Sequence, residues 1–273
     1  MDTTTKRILD YCVAIIRREQ CWGKTDIRQS HSARCIEVPW LTSHLVDFQG
    51  CRLLDIGTAL SSLDYMGTLL ATKEILGLDL HFIDIVKLDA VKSRYPQEWW
   101  PSVMALNQYC GDYRYYQLPK NNFDVVTCIS VIEHIGYDVS SQGDDKSVFV
   151  RKKNIQDVCT DRAPHTDRLV MDKTSQILKK QGELFITVPM GKGGPVVIQD
   201  SLGYYCVQWE YEQESWMNII RHKDFELVEE RYFQFTEHEF WEEVSGFEKL
   251  SNVSASNLSQ SNGCAMARMR KVR

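Results

Sequence analysis

The first residues that could do chemistry lie where a short apolar run, residues 51–56, meets Gly57. Asp55 stands near the end of that run, and small residues follow the glycine: Ala59, Ser61 and Ser62. A glycine in this place lets the backbone approach a ligand closely, and open α/β sheets bind ligands beyond the carboxyl ends of their strands. We therefore predict a ligand-binding loop after a buried strand, with a purely structural turn as the alternative.

Acidic residues after later apolar runs could hold the polar parts of a nucleotide-like ligand. Asp79 follows the run at 75–78 and lies 22 residues past Gly57, an offset at which a carboxylate can accept hydrogen bonds from a ribose diol. Asp84, five residues further on, is its competitor. Asp112 could accept from an adenine amino group, although an aspartate after a glycine is also typical of a turn.

A Glu–His pair follows the apolar run at 123–129. The imidazole of His134 titrates near neutrality and would lie at the carboxyl edge of a sheet, so it is the first candidate for a general base. Glu133 and His134 could instead begin a helix and support a loop. A metal-binding role for the pair is a minor alternative, because no second cluster of ligands stands nearby in the sequence, and we predict no metal site.

The elements that must position these residues alternate between short apolar runs and helix-like segments. The predicted strands cover residues 51–56, 75–78, 123–129 and 182–188. The predicted helices cover residues 4–19, 60–73, 89–95 and 168–180. Such alternation is typical of βαβ units with a parallel sheet. Two later strands, 226–235 and 264–272, are separated by a Ser/Asn-rich loop at 251–262.

Composition narrows the class of protein. The chain has 273 residues, of which 43% are hydrophobic and 25% charged, as expected for a globular domain. With 32 basic and 37 acidic side chains it has no overall attraction to nucleic acid. No apolar run is long enough to span a membrane, no secretory signal is evident, and the nine cysteines are dispersed without a C-x-x-C pair. We expect a cytoplasmic protein, monomeric or homodimeric, whose partner is a small molecule rather than nucleic acid or membrane.

Five segments, in this order, resemble the class I S-adenosylmethionine-dependent methyltransferases of the small-molecule group. They are L-L-D-I-G at 53–57, G-L-D-L at 77–80, G-D at 111–112 with L-P at 118–119, F-D-V-V-T-C-I-S-V-I-E-H-I at 123–135 and I-L-K-K-Q-G-E-L-F-I-T-V-P at 177–189. The resemblance covers residues 30–235. It implies a single doubly wound, Rossmann-like α/β domain with a mainly parallel seven-stranded sheet and an antiparallel last strand.

The resemblance also implies a cofactor and a site. The cofactor would be S-adenosylmethionine, and the residues expected to bind it are Arg34, Asp55, Gly57, Ala59, Ser61, Ser62, Asp79, Leu80, Asp112 and Ser130. His134 and Glu133 would be the catalytic pair. Within one domain at 1–273, residues 1–48 would form an N-terminal helical cap, 136–174 a polar lid and 189–217 a segment on the acceptor side.

The expected reaction is methyl transfer to a small molecule, most simply to an oxygen of a sugar or natural-product intermediate. The glycine-rich loop departs from the family pattern G-x-G-x-G, because Ala59 and Ser61 replace the second and third glycines. Both would be strained at positive φ, so we expect the loop to follow a different path. A non-catalytic S-adenosylmethionine-binding partner or regulatory protein is the alternative. A nucleotide-dependent oxidoreductase is disfavoured, because its G-x-G-x-x-G pattern is broken at Ala59 and Ser62.

Overall fold

The computed structural model describes residues 1–23, 26–30, 32–137, 154–158, 160, 162–199, 205–250 and 261–273. Much of the predicted lid, at 138–153, and most of the predicted late loop, at 251–260, lie outside the described residues. The helices are α1 (Thr3–Ile16), α2 (Arg34–Leu45), α3 (Leu63–Leu76), α4 (Trp100–Met104), α5 (Thr166–Ile177) and α6 (Gln213–Ile220). In the part of the chain described, no helix combines the length and the apolar character needed to cross a membrane.

Ten strands form two sheets. They are β1 (Arg52–Ile56), β2 (Asp79–Asp84), β3 (Asn107–Cys110), β4 (Phe123–Ile129), β5 (Leu178–Met190), β6 (Gly194–Gln199), β7 (Tyr205–Glu210), β8 (Phe225–Phe235), β9 (Trp241–Val244) and β10 (Gly263–Lys271). The large sheet has the order β3-β2-β1-β4-β5-β10-β8-β9. Strands β1 to β5 run parallel to one another, whereas β10 runs antiparallel to both β5 and β8.

This topology confirms the predicted doubly wound α/β sheet with an antiparallel last strand. The strand order reverses between β1 and β4, which opens a crevice at the carboxyl ends of those strands. The sheet has eight strands rather than seven, because β9 folds back on β8 as an antiparallel neighbour at the edge. Strands β6 and β7 form a separate two-stranded hairpin within the segment predicted for the acceptor side.

The predicted strand at 75–78 is wrong, because these residues end helix α3. Helix α3 runs to Leu76, and Gly77 terminates it in the left-handed conformation at φ 68°. The second strand begins two residues later and ends at Asp84. A short apolar run can come from the end of a buried helix or from a buried strand. The apolar pattern at 75–78 therefore predicted a strand where the helix ends.

Helices cover both faces of the large sheet. Because side chains alternate along a strand, Leu53 packs with α1, α2 and α3 on one face, and Leu54 packs with α5 and α6 on the other. Phe185 of β5 belongs to the first face, where its ring lies 5.8 Å from Trp40 and 6.0 Å from Phe48 between ring centroids. This contact fixes α2 over the sheet.

We expect Phe185→Ala to lower the free energy of unfolding by about 3–5 kcal/mol, because the truncation leaves a cavity under α2. Val228→Ala on β8 is the control, since Val228 is 38% exposed and its loss should cost less than about 1 kcal/mol. Urea unfolding followed by circular dichroism measures both. Equal costs for the two variants would contradict the packing described.

Candidate active site

The loop after β1 and the end of β2 are joined by direct hydrogen bonds. The Gly57 N–H donates to the Ile83 carbonyl at 2.8 Å. The carboxylate of Asp84 accepts the Ala59 N–H at 2.9 Å on one oxygen and the Val86 N–H at 3.0 Å on the other. Burial raises the pKa of Asp84 to about 6. Asp84 is therefore the acidic residue that lies beside the loop.

Asp79 and Leu80, both predicted to bind the cofactor, lie elsewhere. Asp79 pairs in register with Arg52 at the amino ends of β2 and β1, on the opposite edge of the sheet from Gly57. Its carboxylate accepts from Arg52 Nε at 2.6 Å. Leu80 is buried inside β2. The misplaced strand boundary accounts for the error, because a strand ending at Leu78 would have put Asp79 at the carboxyl edge.

The loop itself needs only one glycine. Gly57 has φ 81°, and a Cβ added there would lie 2.6 Å from Cγ1 of Val131. Residues Thr58–Leu60 then form a 3-10 turn, and Ser61 follows at φ −66°. The loop therefore follows a path without positive φ at Ala59 or Ser61, as expected from the replaced glycines.

Asp55 holds this loop rather than facing a ligand. It is fully buried, and its carboxylate accepts from the hydroxyls of Tyr65 and Thr127, both at 2.5 Å, and from the hydroxyl of Thr58. Burial raises the pKa of Asp55 to about 6 although all three hydroxyls favour the ionised form. Ser61 also turns inward, since its hydroxyl donates to the Gly57 carbonyl at 3.2 Å. Ser62 differs, because its buried Oγ has no partner among the described residues.

Asp112 lies at the same edge, after β3. The neighbouring Gly111 N–H donates to the Asp84 carbonyl at 2.9 Å, which places Asp112 next to the end of β2. Its carboxylate accepts from Arg114 Nη2 at 2.6 Å. Asp112 therefore lies at the same edge of the sheet as Gly57, and a guanidinium already occupies part of its hydrogen-bonding capacity.

A buried network connects α2 to the end of β4. Arg34 donates from Nη1 to the Ile129 carbonyl at 3.0 Å and to Glu37 at 3.2 Å. Glu37 also accepts from the hydroxyls of Ser130 and Thr187, both at 2.5 Å. Sequence reasoning found Arg34 and Ser130 but missed Glu37, which stands in an apolar stretch of a helix with no motif around it.

Next to this network lies a cavity of about 170 Å³, called here the polar cavity. Its walls come from α2, the ends of β4 and β5, strand β7 and the start of β10. The lining residues are Ser32, Ala33, Arg34, Glu37, Ser130, Glu133, His134, Pro189, Gln208, Ser261, Gly263 and Cys264. Most carry polar side chains, so the cavity suits a small polar group.

His134 has the geometry of a base in this cavity. Its Nδ1 lies 2.9 Å from the Val207 carbonyl, and because a carbonyl only accepts, Nδ1 carries the proton and Nε2 keeps its lone pair. Burial lowers the pKa of His134, which keeps the imidazole neutral near pH 7. The neighbouring Glu133 is buried too, and burial raises the pKa of its carboxyl to about 8.

Comparison with solved structures finds the same architecture. The [4+2]-cyclase SpnF superposes with a TM-score of 0.52 at 13% identity, over 99% of this chain and 96% of that one. An S-adenosylmethionine-dependent methyltransferase from Mesorhizobium loti superposes with a TM-score of 0.50 at 13% identity, over 86% of this chain and 97% of that one. The chain has the class I methyltransferase fold. No protein-family model and no curated protein matches the sequence.

The residues that the methyltransferase fold places at the strand ends fit S-adenosylmethionine chemically. Each oxygen of Asp84 accepts one backbone N–H and retains a lone pair for a ribose hydroxyl. The unpartnered hydroxyl of Ser62 and the guanidinium of Arg34 provide donors for a carboxylate. Because Gly57 has no side chain, its backbone can approach the ligand closely.

The contact between Gly57 and Val131 makes a prediction about stability. Gly57→Ala should cost about 1–2 kcal/mol from positive φ and about 1–3 kcal/mol more from the clash with Val131. Gly77→Ala is the control, because Gly77 has a similar φ of 68° but no atom within 4 Å of the added Cβ. Denaturant unfolding measures both variants.

Introducing Gly57→Ala into a Val131→Ala background separates the two costs. The clash should then disappear, so the same substitution should be less destabilising than in the unmodified protein. An identical cost in both backgrounds would show that Val131 does not crowd the loop.

Proposed function

We propose that this protein is an enzyme that transfers a methyl group from S-adenosylmethionine to a hydroxyl of a small-molecule acceptor, a sugar or a natural-product intermediate. The observation that carries the proposal is the arrangement at one edge of the sheet. Gly57, Asp84 and Ser130 lie at the carboxyl ends of three neighbouring strands, and Ser130 also lines the polar cavity that contains His134. In doubly wound sheets this edge is where ligands bind.

Within this proposal, Asp84 accepts hydrogen bonds from the ribose hydroxyls, a role that was first predicted for Asp79. Asp112 accepts from the adenine amino group, and Arg34 with Ser62 binds the carboxylate at the methionine end. Gly57, Ala59 and Ser61 supply backbone, while Asp55 and Ser130 hold the loop and α2 in place. When bound, the cofactor supplies an electrophilic methyl group on a sulfonium.

The protein's part in the reaction is positioning and proton removal. Holding the acceptor oxygen in line with the methyl group is worth about 7–11 kcal/mol of the barrier. When the acceptor oxygen takes up the methyl group, the bond between that carbon and sulfur would break to leave S-adenosylhomocysteine, and the proton of the acceptor hydroxyl would pass to Nε2 of His134. The Val207 carbonyl fixes the imidazole in the tautomer that can accept it and stabilises the imidazolium that results.

A non-catalytic S-adenosylmethionine-binding partner is the second candidate. It is favoured by the inward hydrogen bonds of the loop, in which Asp55, Ser61 and Asp84 already have partners within the chain. The fold alone does not decide, because one fold supports many activities. The reduced, dispersed cysteines support a cytoplasmic location, and the acidic balance favours a small-molecule partner over nucleic acid.

Titration calorimetry with S-adenosylmethionine, S-adenosylhomocysteine and NAD tests the proposal directly. Binding of the first two but not of NAD supports a methyltransferase or a cofactor-binding partner. Incorporation of labelled methyl groups into hydroxylated small molecules then separates these two. Absence of binding to both sulfur compounds would overturn the proposal.

Asp84→Asn should weaken S-adenosylhomocysteine binding by about 10–100-fold, because an amide is a poorer acceptor for two hydroxyls than a carboxylate. Asp79→Asn is the matched control at the other end of the same strand and should leave the affinity unchanged. In the unmodified protein the affinity should also fall below pH 6, where Asp84 takes up a proton. The reverse ranking of the two variants would return the ribose role to Asp79.

His134→Gln should lower the turnover number by about 10²–10⁴-fold, the usual contribution of a general base. The affinity for S-adenosylhomocysteine should stay the same, since the side chain faces the acceptor cavity. Because burial lowers the pKa of His134, the rate in the unmodified protein should be level around neutrality and fall only in acid. Steady-state kinetics with labelled methyl donor measures this, and unchanged turnover would exclude His134 as the base.

A further inference from the structure

Glu133 carries a buried polar atom without a partner. The residue lies in the 3-10 turn Ile132–His134 after β4, is 2% exposed and lines the polar cavity beside His134. Its Oε2 has no hydrogen-bond partner among the described residues. A buried polar atom left unpaired is destabilising, so a ligand group that pairs with it gains affinity.

The groups around Glu133 do not neutralise it. The charged or titratable side chains that act on it are Arg34, Glu37, Cys128, His134, Arg162, Tyr211 and Cys264. The guanidinium of Arg34 is paired with Glu37, and that of Arg162 with Asp167 and Tyr211. Burial therefore dominates, and with a pKa of about 8 the carboxyl group is protonated at neutral pH. In that form it is a hydrogen-bond donor.

We propose that Oε2 of Glu133 donates a hydrogen bond to a second oxygen of the acceptor, next to the hydroxyl that His134 deprotonates. This inference rests on the proposed function for the role of His134. It makes Glu133 an acceptor-binding residue that keeps its own proton throughout the reaction.

The small size of the cavity narrows the chemical class of the acceptor. Glu133 and His134 are consecutive residues and both line a space of about 170 Å³. We infer that a small acceptor bound by both side chains carries its two oxygens on neighbouring carbons. The acceptor class is a vicinal diol or an α-hydroxycarbonyl compound, rather than an isolated alcohol.

Two probes of nearly equal shape test this assignment. Cis-1,2-cyclohexanediol carries the second oxygen and cyclohexanol lacks it. Saturation-transfer NMR on the full chain, with and without saturating S-adenosylhomocysteine, measures the affinity of each. We expect the diol to bind at least about tenfold more tightly, the value of one hydrogen bond to a buried group.

Two variants assign the preference to Glu133. Glu133→Gln keeps a donor in the same shape and should retain the preference for the diol, whereas Glu133→Leu should abolish it. The ketone oxygen of 2-hydroxycyclohexanone only accepts, so binding of this third probe should weaken in the unmodified protein above pH 8 as the carboxyl ionises, and in Glu133→Gln it should not. Because Glu133→Leu could disturb folding, the pH response of Glu133→Gln provides an independent measurement.

The outcomes separate this inference from the proposed function. Equal binding of the two probes, failure of the diol to bind at millimolar concentration, or a preference that Glu133→Gln loses as completely as Glu133→Leu would overturn the role of Glu133. Absence of S-adenosylhomocysteine binding, measured separately by calorimetry, would instead overturn the proposed methyl transfer, whatever the probes do.

Discussion

The buried carboxylate of Glu37 connects the N-terminal part of the chain to the carboxyl edge of the parallel strands. Moving an unpaired carboxylate out of water costs several kcal/mol, so this side chain is tolerated only where donors surround it. The donors come from its own helix through Arg34, from the end of β4 through Ser130 and from β5 through Thr187. The position of α2, and with it one wall of the polar cavity, depends on all of these bonds at once.

Sequence patterns located the parts of the site where a short apolar run ends in a polar residue. Gly57 and His134 both follow strands whose apolar character is continuous, and parallel strands buried on both faces give that pattern. The second strand escaped detection because His81 interrupts it, while the last turn of α3 supplied a cleaner apolar run in front of it. Asp79 was preferred to Asp84 because it follows that apolar run and lies 22 residues past Gly57.

The polar cavity could not be predicted in the same way. Glu37 and Gln208 stand far apart in the sequence, and neither belongs to a pattern that marks it as functional. The orientation of His134 depends on a main-chain carbonyl of the β6–β7 hairpin, and a carbonyl is present at every residue. Such contacts are decided by how the hairpin packs on the sheet, which no local propensity encodes.

The place of strand β10 in the sheet determines when the sheet can form during synthesis. Of the ten strands described it comes latest in the sequence, yet it lies inside the sheet between β5 and β8. Until residues 263–271 have emerged, β5 presents an unpaired edge of apolar residues, and β8 with β9 has no place to attach. An exposed edge of this kind is a template for pairing with other chains. Pairing of β10 with β5 and β8 removes this edge, so the sheet becomes continuous only once residues 263–271 are in place.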